Sequence, residues 1–205
     1  MNYERWLSLM RAFGYVDNAD TCHALLRAYA EPHRAYHTAR HIESCLRLLD
    51  EYYALADAPH ELALALWFHD VVYQPLSHDN EYKSAQLAAH FLRTNGASSA
   101  LVDRVQGLIT LTRHAEAPQT RDEALLLDID LAILGSELDE YAEYEAGIRA
   151  EYGAVPWFIY SRKRAEMLRG FMGRERIYLS EPLRLRFEQK ARTNLACAID
   201  RLVGR

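Results

Sequence analysis

Histidines and aspartates spaced like the ligands of a metal site occur at three places in the chain. The set is His41, His69, Asp70 and Asp130. Imidazole nitrogen and carboxylate oxygen together suit borderline to hard divalent cations such as zinc, iron, manganese or nickel. The three cysteines form no CxxC pair, so they offer no competing thiolate site. The sequence therefore predicts one site for a divalent metal.

The chain contains two His-Asp pairs, and their surroundings separate them. The apolar stretch Leu62–Phe68 leads into the first pair, so this helix is apolar on all sides and is expected to be buried. Burying a carboxylate without a partner is costly, so Asp70 needs a bound cation or another positive charge. His78-Asp79 instead follows a proline in a polar stretch, where the aspartate is expected to begin the next helix.

His37 lies four residues before His41, at the predicted start of a helix. This spacing predicts that both imidazoles share one face. Two divisions of labour stay open: both histidines bind the metal, or His41 binds it while His37 moves protons. A surface histidine without a site role is the remaining alternative for each.

Asp128 and Asp130 are two residues apart, about 200° around a helix, so only one can join the apolar face. Leu126, Ile129 and Ile133 form that face, and Asp130 completes it. We therefore expect Asp130 to be the buried carboxylate and a metal ligand, with Asp128 on a less apolar side. A buried histidine or arginine is the alternative partner for Asp130.

Three further side chains are candidates for contacts to substrate or to the ligands. His114 follows an apolar helix, where it could be another ligand, a phosphate donor, or a histidine favoured by the helix dipole. Asn80 and Glu81 open the helix that follows the first His-Asp pair. Glu81 could orient a water there, although an acid in a first helical turn is equally expected.

Helical periodicity recurs along nearly the whole chain, and strand patterns are scarce. We predict a single all-α domain over residues 1–205, with short loops between ten helices. The predicted helices are Tyr3–Phe13, Ala19–Ala30, Thr38–Leu55, Pro59–Tyr73, Asp79–Thr94, Ser99–Arg113, Arg121–Leu134, Glu137–Tyr152, Tyr160–Met172 and Glu181–Leu202. Gly135 is expected to end the helix that carries Asp130.

Composition narrows the class of protein and its partners. With 50% hydrophobic and 26% charged residues the chain is ordinary for a globular protein. The three cysteines are odd in number and far apart, which indicates a reducing cytoplasm. We see no leader that would predict export and no apolar run long enough to predict a membrane span. From Tyr160 onward the chain holds 12 of the 24 Lys and Arg but only 5 of the 29 Asp and Glu. These basic residues could attract a phosphorylated ligand or nucleic acid. Their spread over helical turns, without clustered aromatic residues, favours instead a solvated face of the last helices paired with the acidic body of the chain, and argues against nucleic acid. A homo-oligomer stays open.

The four predicted ligands match, in order and helical context, the His…His-Asp…Asp signature of the HD-domain superfamily of metal-dependent phosphohydrolases. The chain resembles that superfamily and is similar over nearly its full length to a group of bacterial predicted HD phosphohydrolases with no assigned substrate. The shared stretches include Trp67–Tyr73, Asp79–Ser84, Leu127–Gly135 and parts of the tail between Arg164 and Leu195. The resemblance implies an HD-type core over about residues 32–135, with helical extensions at both ends.

The segment from Tyr36 to His41 also resembles the Tyr-His-Asn-x-x-His motif of cyclic-nucleotide phosphodiesterases, with Thr38 in place of the asparagine. In those enzymes the first histidine is the general acid and the second is a metal ligand. The resemblance therefore implies that His37 is the acid and that His41 binds the metal.

These resemblances imply a metal-dependent phosphohydrolase, a phosphomonoesterase or phosphodiesterase, that acts on a small phosphorylated substrate such as a nucleotide. The cofactor would be manganese, nickel, cobalt, magnesium, zinc or iron. His37 would protonate the leaving oxygen, and Asp70 would steer or deprotonate the attacking water. Two alternatives stay open: a metal- and nucleotide-binding module without turnover, and an HD-type di-iron oxygenase, which needs additional ligands.

Overall fold

The structure, a computed structural model, describes residues 2–204. Within that range the chain forms ten α-helices, two short 3-10 helices and no strand, which confirms the predicted all-α fold class. The helices are α1 Tyr3–Phe13, α2 Ala19–Ala28, α3 Ala39–Glu51, α4 Pro59–Phe68, α5 Asn80–Thr94, α6 Ser99–Leu111, α7 Arg121–Asp130, α8 Leu138–Glu151, α9 Trp157–Met172 and α10 Glu181–Val203. The 3-10 helices are Tyr53–Leu55 and Leu131–Gly135. None of the helices described is both long enough and apolar enough to cross a membrane.

The chain divides into two compact units. The first runs to Leu127 and holds α1 to α6 with most of α7, and the second begins at Asp128 and holds α8 to α10. The assignment of residues 1–205 to one domain, with an HD-type core over about residues 32–135, stays a prediction.

Helix α4 is the buried centre of the first unit. It packs against α1, α3, α5 and α6, and Leu62, Leu64 and Leu66 are fully buried. Each such leucine contributes about 1.5–3 kcal/mol relative to an exposed one. Trp67, also fully buried, meets the ring of Trp6 edge-on at 5.2 Å between centroids. The predicted burial of this helix on all sides is confirmed.

The chain leaves the α4 helix five residues earlier than its sequence pattern predicts, at Phe68 rather than Tyr73. The Val71 N–H donates to the Phe68 carbonyl at 3.0 Å, which closes a turn in place of another helical step. The Ser84 hydroxyl on α5 then accepts from the Val72 N–H at 3.1 Å. The His-Asp pair consequently lies at the end of the buried helix instead of within it.

Helix α3 begins at Ala39, so His37 precedes the helix. Thr38 is its N-cap residue, and the Thr38 hydroxyl accepts from the Arg40 N–H at 3.4 Å. His41 lies in the first turn, on the buried face of α3. His37 therefore lies outside the helix, as the predicted helix start at Thr38 implies, and its ring is a neighbour of the His41 ring, with centroids 6.2 Å apart.

In the second unit the 3-10 helix Leu131–Gly135 packs closely against α10. The Asn194 side-chain amide donates to the carbonyls of Leu134 and Ser136, each at 3.0 Å. A Cβ added at Gly135 would lie 2.6 Å from both the Cβ and the carbonyl oxygen of Phe187. Gly135 does end a helical segment, but the close approach of α10 is what excludes a side chain there.

Replacing Gly135 tests this close approach. Gly135→Ala should lower the free energy of unfolding by about 1–3 kcal/mol, because backbone atoms must shift to admit the methyl group. Gly170→Ala in α9 is the matched control, since nothing lies within 4 Å of its added Cβ. That control should raise the free energy by up to about 1 kcal/mol. Urea denaturation followed by circular dichroism measures both, and wild-type stability for Gly135→Ala would contradict the packing.

Candidate metal centre

The folding of α3 and α4 brings two buried imidazoles face to face. His41 projects from the first turn of α3, and His69 follows the last residue of α4. Their Nε2 atoms lie 3.3 Å apart, and the two residues are 7% and 1% exposed. The two rings therefore direct the same type of nitrogen at one point inside the first unit.

Both ring nitrogens of His69 face polar atoms. Nδ1 lies 3.1 Å from the Leu66 carbonyl oxygen, which can accept a hydrogen bond from it. Nε2 faces both His41 and the Asp70 carboxylate. Two lone pairs as close as the two Nε2 atoms would repel each other, so a proton or a cation is needed between these nitrogens.

The Asp70 carboxylate joins the two imidazoles. Its Oδ2 lies 3.0 Å from His69 Nε2 and 3.6 Å from His41 Nε2, and the side chain is 17% exposed. Burial by itself raises the pKa of Asp70, but the imidazoles of His69 and His37 outweigh it and hold that pKa well below its usual range. The group is therefore an anion at neutral pH, as a metal ligand must be.

A tyrosine hydroxyl adjoins the ring of His41. Tyr36 Oη lies 3.0 Å from His41 Nδ1, and the two ring centroids are 4.9 Å apart. Polar partners on the far nitrogen of a ligating histidine orient its ring and tune its basicity. The motif from Tyr36 to His41 assigns roles to its two histidines but predicts no contact for Tyr36.

Asp130 completes a group that could hold a metal ion. One ligand atom from each of His41, His69 and Asp130 lies within 4.8 Å of the others. Two imidazole nitrogens and a carboxylate fit a divalent cation of borderline or hard character. Asp70 lies beside both histidines but is not in that group, so its place as a fourth ligand stays a prediction.

The burial of the two aspartates on α7 is the reverse of the prediction. Asp128 is 1% exposed, whereas Asp130 is half-buried. The Asp128 carboxylate accepts from the backbone N–H groups of Leu179 and Ser180, at 2.8 and 2.6 Å. Burial raises the pKa of Asp128, while these two donors favour its charged form. Apolar neighbours on α7 are a local signal, whereas these two donors lie 51 and 52 residues further along the chain.

His37 lies beside the ligands and is half-buried. Its ring stacks on that of Tyr73 with centroids 4.2 Å apart and an interplanar angle of 27°. The His37 and His41 centroids are 6.2 Å apart. This places an ionisable ring at the edge of the ligand set, and its role as general acid stays a prediction.

The other candidate residues have less specific surroundings. Asn80 closes the loop before α5: its Oδ1 accepts from the Gln74 N–H at 3.1 Å, and its amide donates to the Gln74 carbonyl at 3.0 Å. Glu81 is half-buried in the first turn of α5. His114 follows α6 in a left-handed backbone conformation, with φ of 56°. Contacts of these three residues to a substrate stay predictions.

Comparisons of the chain with protein-family models, curated proteins and solved structures found no match. The case for a metal centre thus rests on the donors themselves. Two buried Nε2 atoms converge, an anionic carboxylate lies beside them, and a second carboxylate is within reach.

Exchanging carboxylate for amide at each α7 aspartate tests the assignment of Asp130. Asp130→Asn should weaken metal binding, because it removes an anionic ligand while keeping the shape of the side chain. Asp128→Asn should keep wild-type metal content but lower the free energy of unfolding by about 1–3 kcal/mol, because the new NH₂ group cannot accept a hydrogen bond.

Metal per chain after dialysis, measured by mass spectrometry, and urea denaturation give the two readouts. Loss of metal from Asp128→Asn with none from Asp130→Asn would show that the α7 ligand is misassigned.

Proposed function

We propose that this protein is an HD-type metal-dependent phosphohydrolase that cleaves a phosphate ester of a small substrate such as a nucleotide. The observation that carries the proposal is the convergence of His41 Nε2 and His69 Nε2, 3.3 Å apart, beside the anionic Asp70. The order of the ligands in the sequence, with its resemblance to the HD signature, selects phosphate-ester hydrolysis among metal-dependent reactions.

The proposed ligands of the cation are His41, His69, Asp70 and Asp130. When bound there, a divalent cation supplies the positive charge that acidifies water and offsets charge on phosphoryl oxygens. The histidines hold it through Nε2, since the Leu66 carbonyl and the Tyr36 hydroxyl occupy the Nδ1 side of the two rings.

His37 is the proposed general acid. It precedes α3 and is half-buried, so part of its surface is accessible to a substrate. Stacking against Tyr73 fixes the ring plane of His37. His37 thus donates a proton to the leaving oxygen, a role typically worth about 10²–10⁴ in rate.

Asp70 has two functions in this proposal. Its carboxylate is held against the imidazoles, yet 17% of the side chain is exposed. That exposed part can accept a hydrogen bond from the attacking water and orient it towards phosphorus. A module that only bound metal would need no ionisable side chain such as His37 next to its metal ligands. The presence of His37 there favours hydrolysis over the binding module.

Metal removal tests the reaction. Protein treated with a chelator should lose hydrolysis of nucleotides, sugar phosphates and nitrophenyl phosphate mono- and diesters, and regain it with manganese, cobalt, nickel or magnesium. Released phosphate or nitrophenol measures turnover. If no substrate turns over with any metal but nucleotides bind the metal-loaded protein, the proposal fails and the binding module takes its place.

Alanine substitutions test the division of labour between the two neighbouring histidines. His37→Ala should keep the metal but lower kcat by about 10²–10⁴, the effect of losing a general acid. His41→Ala should lose the metal. The control is His90→Ala, an exposed position on α5, which should change neither metal content nor kcat. Equal loss of metal from the first two variants would make His37 a ligand and leave the acid elsewhere.

A further inference from the structure

Arg34 is a buried arginine in the segment between α2 and α3. The residue is 7% exposed, and its side chain is wholly buried. Lysine and arginine are almost never fully buried unless their charge is paired. The Arg34 Nε donates to Glu31 Oε2 at 3.0 Å, but that carboxylate side chain is 41% exposed. One partly exposed acid is a weak reason to bury a guanidinium.

The other donors of Arg34 bind the main chain at the residues that carry the proposed chemistry. Nη1 donates to the carbonyl of His37 at 3.0 Å and to that of Asp70 at 2.7 Å. Nη2 donates to the Val71 carbonyl at 2.9 Å. A single planar group therefore joins the segment before α3 to the turn after α4, 36 residues apart in sequence.

Aromatic rings restrict the guanidinium plane. The Arg34 Cζ lies 5.3 Å from the centroid of Tyr29 and 5.5 Å from that of Tyr73. Tyr73 is also the ring on which His37 stacks. The guanidinium thus acts on His37 in two ways, through its carbonyl and through the tyrosine against which its ring lies.

A gain in stability does not by itself explain this arrangement. Desolvating a charged pair often offsets its attraction, so a buried ion pair is weak evidence of stabilisation. Planar donors with fixed directions do set the distance between the groups they join, and lysine, a flexible point charge, cannot reproduce that.

We propose that Arg34 is a positioning residue that sets the spacing between the ring of His37 and the carboxylate of Asp70. The role given to that spacing depends on the metal-dependent hydrolysis proposed above. The contacts of Arg34 to the two carbonyls do not depend on it.

The test replaces arginine by lysine at Arg34 and at a matched surface position. Arg104 is the control, since its guanidinium also donates twice to one carboxylate, that of Glu61, at 2.8 and 2.7 Å, but is exposed. Two readouts need no turnover: the affinity and visible absorption spectrum of bound Co²⁺, and the imidazole NMR signals of the metal-free protein. Circular dichroism establishes that each variant is folded.

Arg34→Lys should bind Co²⁺ at least about tenfold more weakly, the usual effect of losing a group that orients metal ligands. Its Co²⁺ spectrum and the imidazole signals of the metal-free protein should both shift, and in an active enzyme kcat should fall more than KM rises. Arg104→Lys should match the wild type throughout. Wild-type affinity and spectra for a folded Arg34→Lys would overturn the proposal.

If Arg34→Lys does not fold, Glu31→Ala takes its place, because it frees only the Nε side of the guanidinium. It should weaken Co²⁺ binding in the same direction by a smaller factor, and unchanged binding would overturn the proposal. The proposed function fails separately, when the wild type turns over no phosphate ester. Weakened Co²⁺ binding by Arg34→Lys would still support positioning in that case.

Discussion

Two buried imidazole nitrogens facing each other at 3.3 Å impose the constraint on which the first unit depends. Two lone pairs in that arrangement would repel, so a proton or a cation must lie between the nitrogens. The nearby Asp70 carboxylate makes a cation favourable there. The helices and loops around this point hold the side chains of His41, His69 and Asp70 together.

Because helix α4 is buried on all sides, it fixes the position of His69. A helix packed against four others cannot rotate or slide without exposing leucine and tryptophan side chains. The helix ends just before the polar His-Asp pair. In the turn that follows, Arg34 donates to the carbonyls of Asp70 and Val71, and the Val72 N–H donates to the Ser84 hydroxyl. Apolar packing thus fixes the histidine, and a few directed hydrogen bonds fix the acid next to it.

The sequence was sufficient for the helices and for the His-Asp pair, because apolar periodicity and cap residues are local signals. It was insufficient where tertiary contacts decide. The end of α4 at Phe68 depends on contacts from Arg34 and Ser84 to the turn that follows. Arg34 itself lies in a loop. A single charged residue in a loop shows no sequence pattern that would distinguish a buried positioning residue from a solvated side chain.

The two aspartates of α7 show which property marks a candidate metal ligand. Asp128 is the more buried, and backbone N–H groups at the start of α10 meet the need of its carboxylate for donors. Asp130 is less buried, yet it belongs to the group with His41 and His69. Depth of burial therefore does not distinguish them. A carboxylate whose donors come from the backbone has little to gain from a cation, whereas one grouped with imidazole nitrogens that present lone pairs has much to gain. The surroundings of the carboxylate oxygens, rather than the position of the residue on the apolar face of the helix, indicate which aspartate can bind a metal.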